Sequence, residues 1–379
     1  MIMKQFLSVL FMLSVLVSCQ EKRDNYRIIG ELKNIPDSSV IDLYIEYEDI
    51  ASRIDSDTIL NGFFEFSGIL EKRPVKMMLR MHDWENYAGG CDLWVDYEKI
   101  MVTGESRYLS SWDVSSNVKE QKCLNRLTSK TKEFNIHNDS LSLLMMKNRQ
   151  DRERYLQLRK QADSLRKISL GIEFNMVEKS PNSHSALEIL YKTVKFDTTI
   201  ARERIKKVYE ALKPTFKNTL YGEGIKAGLQ ERDIPEPGDK MIDFTAHDTA
   251  GIEYSLSDFK GKYILLDFWS FGCGPCIMSI PEMKELNTQY KDALTIVGIN
   301  MAANEKQWRK ASKRDSIPWT NLSDGKGTIA GLSSVYGIEG VPTYILINPE
   351  GVIVEKWMGY WKGVFETKLT NYIDSNKQD

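Results

Sequence analysis

From residue 26 to about residue 117, apolar and polar positions alternate with a period near two. The segments YRIIGEL, VIDLYIEY, GFFEFSG, VKMMLRM and KIMVTGE are short, rich in β-branched and aromatic residues, and separated by turn formers, which is the pattern of strands. Asn61-Gly62, between DTIL and FFEF, predicts a hairpin because both residues tolerate a positive φ. Strands with no helical stretch between them predict a small antiparallel β-sandwich. From about 118 to 230 the period lengthens. Tyr155, Leu158, Ala162 and Leu165 mark one helical stripe; Leu187, Leu190, Tyr191 and Val194 mark a second. Ile205, Val208, Tyr209 and Leu212 mark a third, followed by Pro214. The stripes are too short for a coiled coil and predict three or four packed helices acting as a connector. ERDIPEPGDK, rich in proline and charge, then predicts a linker.

The last stretch alternates strand and helix signals. IDFTAHD and IEYSL flank a turn at Gly251, and YILLDFW is a continuous apolar run, as expected of a strand buried on both faces. A helix to about Tyr290, the strand LTIVGIN, a helix around 305–313 and a short one around 328–335 follow. TYILINPEGVIVEKW reads as a hairpin turned at Pro349-Glu350-Gly351, and a final helix runs to about Ile373. Together these predict a mixed sheet with helices on both sides. The expected organisation is multidomain: an N-terminal antiparallel β-sandwich over 19–117, a helical connector over 118–235 and a C-terminal α/β domain over 236–379.

Composition narrows the function. At 379 residues the chain exceeds the usual single domain, and its 42% hydrophobic content is ample for several cores. A formal net charge of −2 supplies no basic field, so no nucleic-acid partner is expected. Five cysteines are too few for a disulfide-built scaffold. The opening MIMKQFLSVLFMLSVLVSC carries Lys4, then an apolar run from Phe6 to Val17. That run is about half the ~20 residues a membrane-spanning helix needs and reads as the core of a secretory signal. Leu16-Val17-Ser18-Cys19 resembles the lipobox of bacterial lipoproteins. The resemblance implies removal of 1–18 as a signal peptide, lipidation of Cys19 and anchoring to a membrane; an ordinary secretory signal with a chance cysteine is the plainer alternative. Export places the chain in an oxidising compartment. Gln20 lacks the aspartate associated with inner-membrane retention, so the expected location is the periplasmic side of the envelope, at the outer membrane rather than the inner.

DFWSFGCGPC, Asp267 to Cys276, admits three readings: a redox pair, a metal clip or an inert disulfide. Cys273 and Cys276 are three apart where a buried strand gives way to a helix, so both sulfurs fall in its first turn. Free amides and the positive dipole end there favour a thiolate. Pro275 suits the first helical positions, and Gly274 leaves the front of the loop open. An attacking thiolate with a nearby resolving thiol is what disulfide exchange requires. A structural zinc site needs further ligands. Cys91 and Cys123 are isolated, reading as free buried thiols, and none of the four histidines flanks the motif, so no metal or cofactor is expected. The inert reading remains, but it does not explain Gly-Pro between the sulfurs.

Residues 236–375, on FKGKYILLDFWSFGCGPC and GVPTYILIN, resemble the thioredoxin-fold domains of the TlpA/ResA group, exported and anchored thiol–disulfide oxidoreductases related to the AhpC/TSA proteins. The strand spacing of 19–117 resembles a β-domain of unknown function often joined to them. The resemblance implies that Asp267 is a buried acid taking the proton of Cys276, that Trp269 packs under the active site, and that Pro342 is the cis-proline facing the cysteines. The bent Val341 backbone is then expected to pair with an extended substrate. Substrate contacts are thus expected at Val341, Pro342, Trp269, Gly274 and Pro275, with Cys273 as nucleophile and Cys276 as resolver. Two departures stand out: Gly272 replaces the usual tryptophan, and Ser279 a frequent glutamate, leaving Glu282 as a distant second acid. The implied function is reduction of disulfides in other exported proteins, recharged by a membrane electron donor. A binding or scaffold lipoprotein is the non-enzymatic alternative. A thiol peroxidase is disfavoured because Leu266 stands where its P-x-x-x-T-x-x-C pattern needs proline.

Overall fold

The structure, a computed structural model, describes residues 25–47, 50–70, 73–197, 199–230, 234–302 and 305–373. The leader 1–18 and Cys19 lie outside the described residues. None of the described helices is long and apolar enough to cross a membrane.

The first unit contains β1 (Asn25–Leu32), β2 (Val40–Tyr47), β3 (Ile50–Thr58), β4 (Phe63–Ile69), β5 (Val75–Met81), β6 (Cys91–Val95), β7 (Lys99–Gly104) and β8 (Asp113–Ser115). Two four-stranded sheets, ordered β4-β1-β7-β8 and β3-β2-β5-β6, enclose a core that includes Ile28, Leu43, Phe66, Leu79 and Val102. Among the pairs of named strands the sandwich is antiparallel except for the parallel pair β1–β7. The chain visits the other sheet between them, a crossover long enough to return in the same direction. Asn61 and Gly62 have φ of 52° and 79° and close the expected turn. Leu60 and Phe63 exchange backbone hydrogen bonds across it as in a hairpin, yet beyond that one antiparallel bridge β3 pairs with β2 and β4 with β1, so this turn carries the chain between sheets. Phe64 and Phe66 explain the departure: β4 buries them between the sheets, which it can do only by leaving the plane of β3.

Among the described residues the middle unit shows seven helices where three or four were expected: α1 (Lys119–Thr128), α2 (Lys132–Lys147), α3 (Arg152–Val177), α4 (His184–Phe196), α5 (Arg202–Glu210), α6 (Pro214–Lys217) and α7 (Leu220–Leu229). Caps divide it. Asp151, Ser183 and Thr219 each accept a backbone N–H of the helix they begin, and Pro214 opens α6 besides ending the preceding stripe. The buried Lys76 of β5 reaches both Glu188 carboxylate oxygens of α4 at 2.8 Å, joining sandwich to helices.

The last unit comprises β9 (Thr245–Asp248), β10 (Glu253–Ser255), β11 (Tyr263–Trp269), α8 (Gly274–Gln289), β12 (Leu294–Asn300), α9 (Glu305–Asp315), β13 (Thr320–Ser323), α10 (Leu332–Val335), β14 (Thr343–Ile347), β15 (Ile353–Met358) and α11 (Val364–Ile373). Its seven-stranded sheet is ordered β10-β9-β13-β12-β11-β14-β15, with β11 parallel to β12 and antiparallel to β14. Every residue of β11 is buried, as its apolar run requires. The end of the expected linker is already docked: Gly238 donates to the Ile353 carbonyl and Met241 to that of Gly351, both at 2.8 Å. This unit also plugs the helices. Ile329 lies in the helical core, and the Tyr191 hydroxyl donates to the Thr328 carbonyl at 3.2 Å. At Gly224 of α7 a Cβ would sit 2.4 Å from the Ile329 carbonyl oxygen, so only glycine allows that approach.

Candidate functional site

Strand β11 ends at Trp269, and a turn through Gly272 delivers the chain to α8. Gly272 has φ of 81°, a backbone state that disfavours any side chain. This accounts for glycine in place of tryptophan here. Cys273 is the N-cap of α8, its sulfur accepting the Cys276 N–H at 3.2 Å. The two cysteines form a disulfide, with Cα atoms 5.3 Å apart. Cys273 is half-buried and Cys276 only 4% exposed, while Gly274, Pro275, Ile277 and Met278 are open to solvent. Val341 packs into the same cluster as the two sulfurs, and the Val341–Pro342 peptide is cis.

Alternation along β11 sorts its side chains. Ile264, Leu266 and Phe268 enter the core beneath one face; Tyr263 and Leu265 enter the core under α8. Asp267 and Trp269 continue the second series. Asp267 is 5% exposed, its Oδ1 has no hydrogen-bond partner, and burial pushes its pKa up to about 7. Trp269 is 3% exposed, packs with Cys276, Trp308 and Ala311, and donates to Asn321 Oδ1 at 3.0 Å. It therefore supports the cysteines from below, and the expectation that it touches substrate is corrected. Pro342 is buried as well, leaving Val341, Gly274 and Pro275 as the accessible members of the expected set.

Other acids are engaged elsewhere. Glu282 accepts from the Tyr360 hydroxyl at 3.0 Å and the Gly363 amide at 3.2 Å, a structural task that removes it as a second acid. Ser279 donates to the Cys276 carbonyl at 2.8 Å. Sequence reasoning missed two features. Pro281 lies inside α8, where it removes a backbone donor; the residue was in plain view. Tyr344 stands directly opposite Asp267 across β11 and β14, and only strand register reveals that. Cys91 and Cys123 are free and belong to the other units. Cys91 is buried in the sandwich, its thiol pKa pushed up by burial, and Cys123 is half-buried beside Ser183 at 3.1 Å. Among the described residues no group of three or more metal-ligating side chains occurs.

A Cys-Gly-Pro-Cys pair on a helix N-terminus, above a mixed sheet and facing a cis-proline, defines a thioredoxin-type thiol–disulfide domain. A family model described as the AhpC/TSA family matches residues 237–356. Thioredoxin-like protein YneN of Bacillus subtilis is 31% identical over 137 residues, 35% of this chain and 75% of that protein. The thiol-disulfide oxidoreductase ResA of Halalkalibacterium halodurans is 28% identical over 150 residues, 39% of this chain and 82% of its own. Among solved structures, the thioredoxin domain of a thiol-disulfide oxidoreductase from Bacteroides vulgatus is 32% identical, covering 36% of this chain and 98% of that one with a TM-score of 0.34. The chain belongs to the thioredoxin-like thiol–disulfide oxidoreductases of the ResA and YneN kind.

Proposed function

We propose that this oxidoreductase reduces disulfides of other exported proteins from the periplasmic side of the cell envelope, held there by lipid on Cys19. The observation that carries the reading is the asymmetry of the pair: a half-exposed sulfur at a helix N-terminus is bonded to a buried one, and the strand leading into that helix carries a buried acid, Asp267, whose Oδ1 has no hydrogen-bond partner. In the reduced protein Cys273 attacks the substrate disulfide, and Cys276, its proton passing to Asp267, resolves the mixed disulfide. The Val341 backbone, beside the pair, is suited to bind the extended segment that carries the substrate cysteine. Gly-Pro between the sulfurs favours the reducing direction. Thioredoxin, with the same dipeptide, has a potential of about −270 mV against about −120 mV for a strong oxidant, a gap of roughly 7 kcal/mol. A reductase in an oxidising compartment consumes electrons, so a membrane donor drawing on the cytoplasm is part of the proposal. No observation favours a peroxidase, since Leu266 is fixed in the middle of a buried strand. Trapping partners in the native cell with Cys276→Ser is the test. Mixed disulfides of Cys273 with exported proteins are expected; a pair whose measured potential lies near the strong-oxidant end would overturn the direction.

A further inference from the structure

If Cys276 resolves the mixed disulfide, something must govern the proton it gives up. Asp267 and Tyr344 face each other across β11 and β14, on the side covered by α8. Tyr344 is fully buried, and its hydroxyl, like Asp267 Oδ1, has no hydrogen-bond partner. Two unpaired polar groups side by side in an apolar interior demand an explanation. After burial, Asp267 is the leading influence holding the Tyr344 hydroxyl protonated, so the two groups sense each other. Ser279 lies near enough to the same hydroxyl to offset part of that rise by hydrogen bonding, although the Ser279 proton itself goes to the Cys276 carbonyl. Tyr344 thus stays a donor throughout the working pH range and never serves as a base.

We propose that Tyr344 is a positioning residue of the redox centre: its hydroxyl donates to the Asp267 carboxylate through one water, and so sets the pH at which Asp267 can take the Cys276 proton. This rests on the redox reading above. Few other groups compete. α8 offers Cys276, Ser279, whose hydroxyl proton goes to the Cys276 carbonyl, and Glu282, held by Tyr360 and Gly363. The loop after β15 offers Tyr360, β12 Gly298 and the amide of Asn300, β13 the amide of Asn321, and β15 and α11 the apolar Trp357, Val364 and Phe365. Burial is the sole cause of the Asp267 shift, so no charge already stabilises its ionised form.

The step balances as thiol–disulfide exchange. The Cys273 thiolate attacks one substrate sulfur and expels the other as thiolate. Cys276 passes its proton to the Asp267 carboxylate, and its sulfur attacks Cys273 Sγ. The mixed disulfide then breaks and releases the second substrate thiolate. Two electrons leave the protein dithiol, the substrate thiolates take protons from Asp267 and solvent, and Tyr344 keeps its own.

The test uses the reduced full-length protein and an aromatic disulfide that releases a coloured thiolate at each step. The first release reports attack by Cys273, the second resolution by Cys276. In Tyr344→Phe the first phase should be unchanged. The pH midpoint of the second should rise by about one unit, which is about a fivefold loss of rate at pH 7. Adding Tyr344→Phe to Asp267→Asn should change nothing further, since the tyrosine acts through the carboxylate. An unmoved midpoint in Tyr344→Phe, or an equal slowing in the Asp267→Asn background, overturns the proposal. Absence of a second phase in the wild-type protein would remove the redox reading itself, and this proposal with it.

Discussion

Two buried acids mark two regions of this molecule, and they are opposites. Glu188, at the junction of sandwich and helices, is met by Lys76 at 2.8 Å and Lys192 at 2.5 Å. Burial works against its ionisation, but Lys192 and Lys76 outweigh it and hold its pKa well below the usual carboxylate range. Lys76 in turn faces Glu46 at 3.2 Å and Asp92 at 3.4 Å. Asp267 in the redox domain has no such cation, and burial alone pushes its pKa up to about 7. A buried charge with partners is locked and serves architecture; one without partners is poised to exchange a proton.

The contrast predicts opposite pH slopes. Asp267 is protonated in the folded oxidised protein up to about pH 7 but ionises near its ordinary 3.8 when unfolded. The folded state therefore binds the extra proton, and stability falls as pH rises between those values, by about 4 kcal/mol in total. Denaturant titrations across pH should show this decline in wild type relative to Asp267→Asn; parallel curves would erase the distinction. Glu188 works the other way, stabilising above its unfolded pKa and losing that contribution only as acid protonates it in the fold. Lys76→Met should cost about 3 kcal/mol, at the low end for breaking a buried pair because Lys192 still faces Glu188. Unfolding at neutral pH measures it, and a near-zero cost would mean the cluster is not locked. Asp267→Asn should slow resolution by Cys276 about a hundredfold, close to 3 kcal/mol, with the first attack by Cys273 spared. Stopped-flow reduction of a model disulfide separates the two steps. The smallest effect belongs to the exposed pair Lys326–Glu223, 2.7 Å apart and about half exposed on each side. Lys326→Ala should change stability by no more than about 1 kcal/mol and vanish at high salt. A larger loss would place that pair with Lys76 and Glu188.

How much of this was legible in the sequence depended on distance along the chain. The cysteine pair, its helix start and the buried strand before it are contiguous, and local rules of spacing and apolar runs suffice to read them. The turn at Asn61-Gly62 was equally local, but what it joins was not, because sheet membership is decided by where Phe64 and Phe66 find a core. Lys76 and Glu188 meet across 112 positions, and no periodicity relates them. Tyr344 became visible only through register, since moving β14 by one residue would turn it to the opposite face. The helices were undercounted because caps such as Thr219 act at a single residue and leave the apolar stripe unmarked.

Ile329 belongs by sequence to the redox domain and by packing to the helices, where it is almost wholly enclosed. Anyone dissecting the chain into stand-alone fragments at the Pro-rich segment would cut beside a shared core. The excised C-terminal piece would carry a bare isoleucine and a Thr328 carbonyl deprived of Tyr191. The helical fragment would carry a matching hole. Solubility of the C-terminal fragment restored by Ile329→Ser, while the helical fragment that lacks residue 329 stays insoluble, would show that the unit of inheritance and the unit of folding part company at this residue.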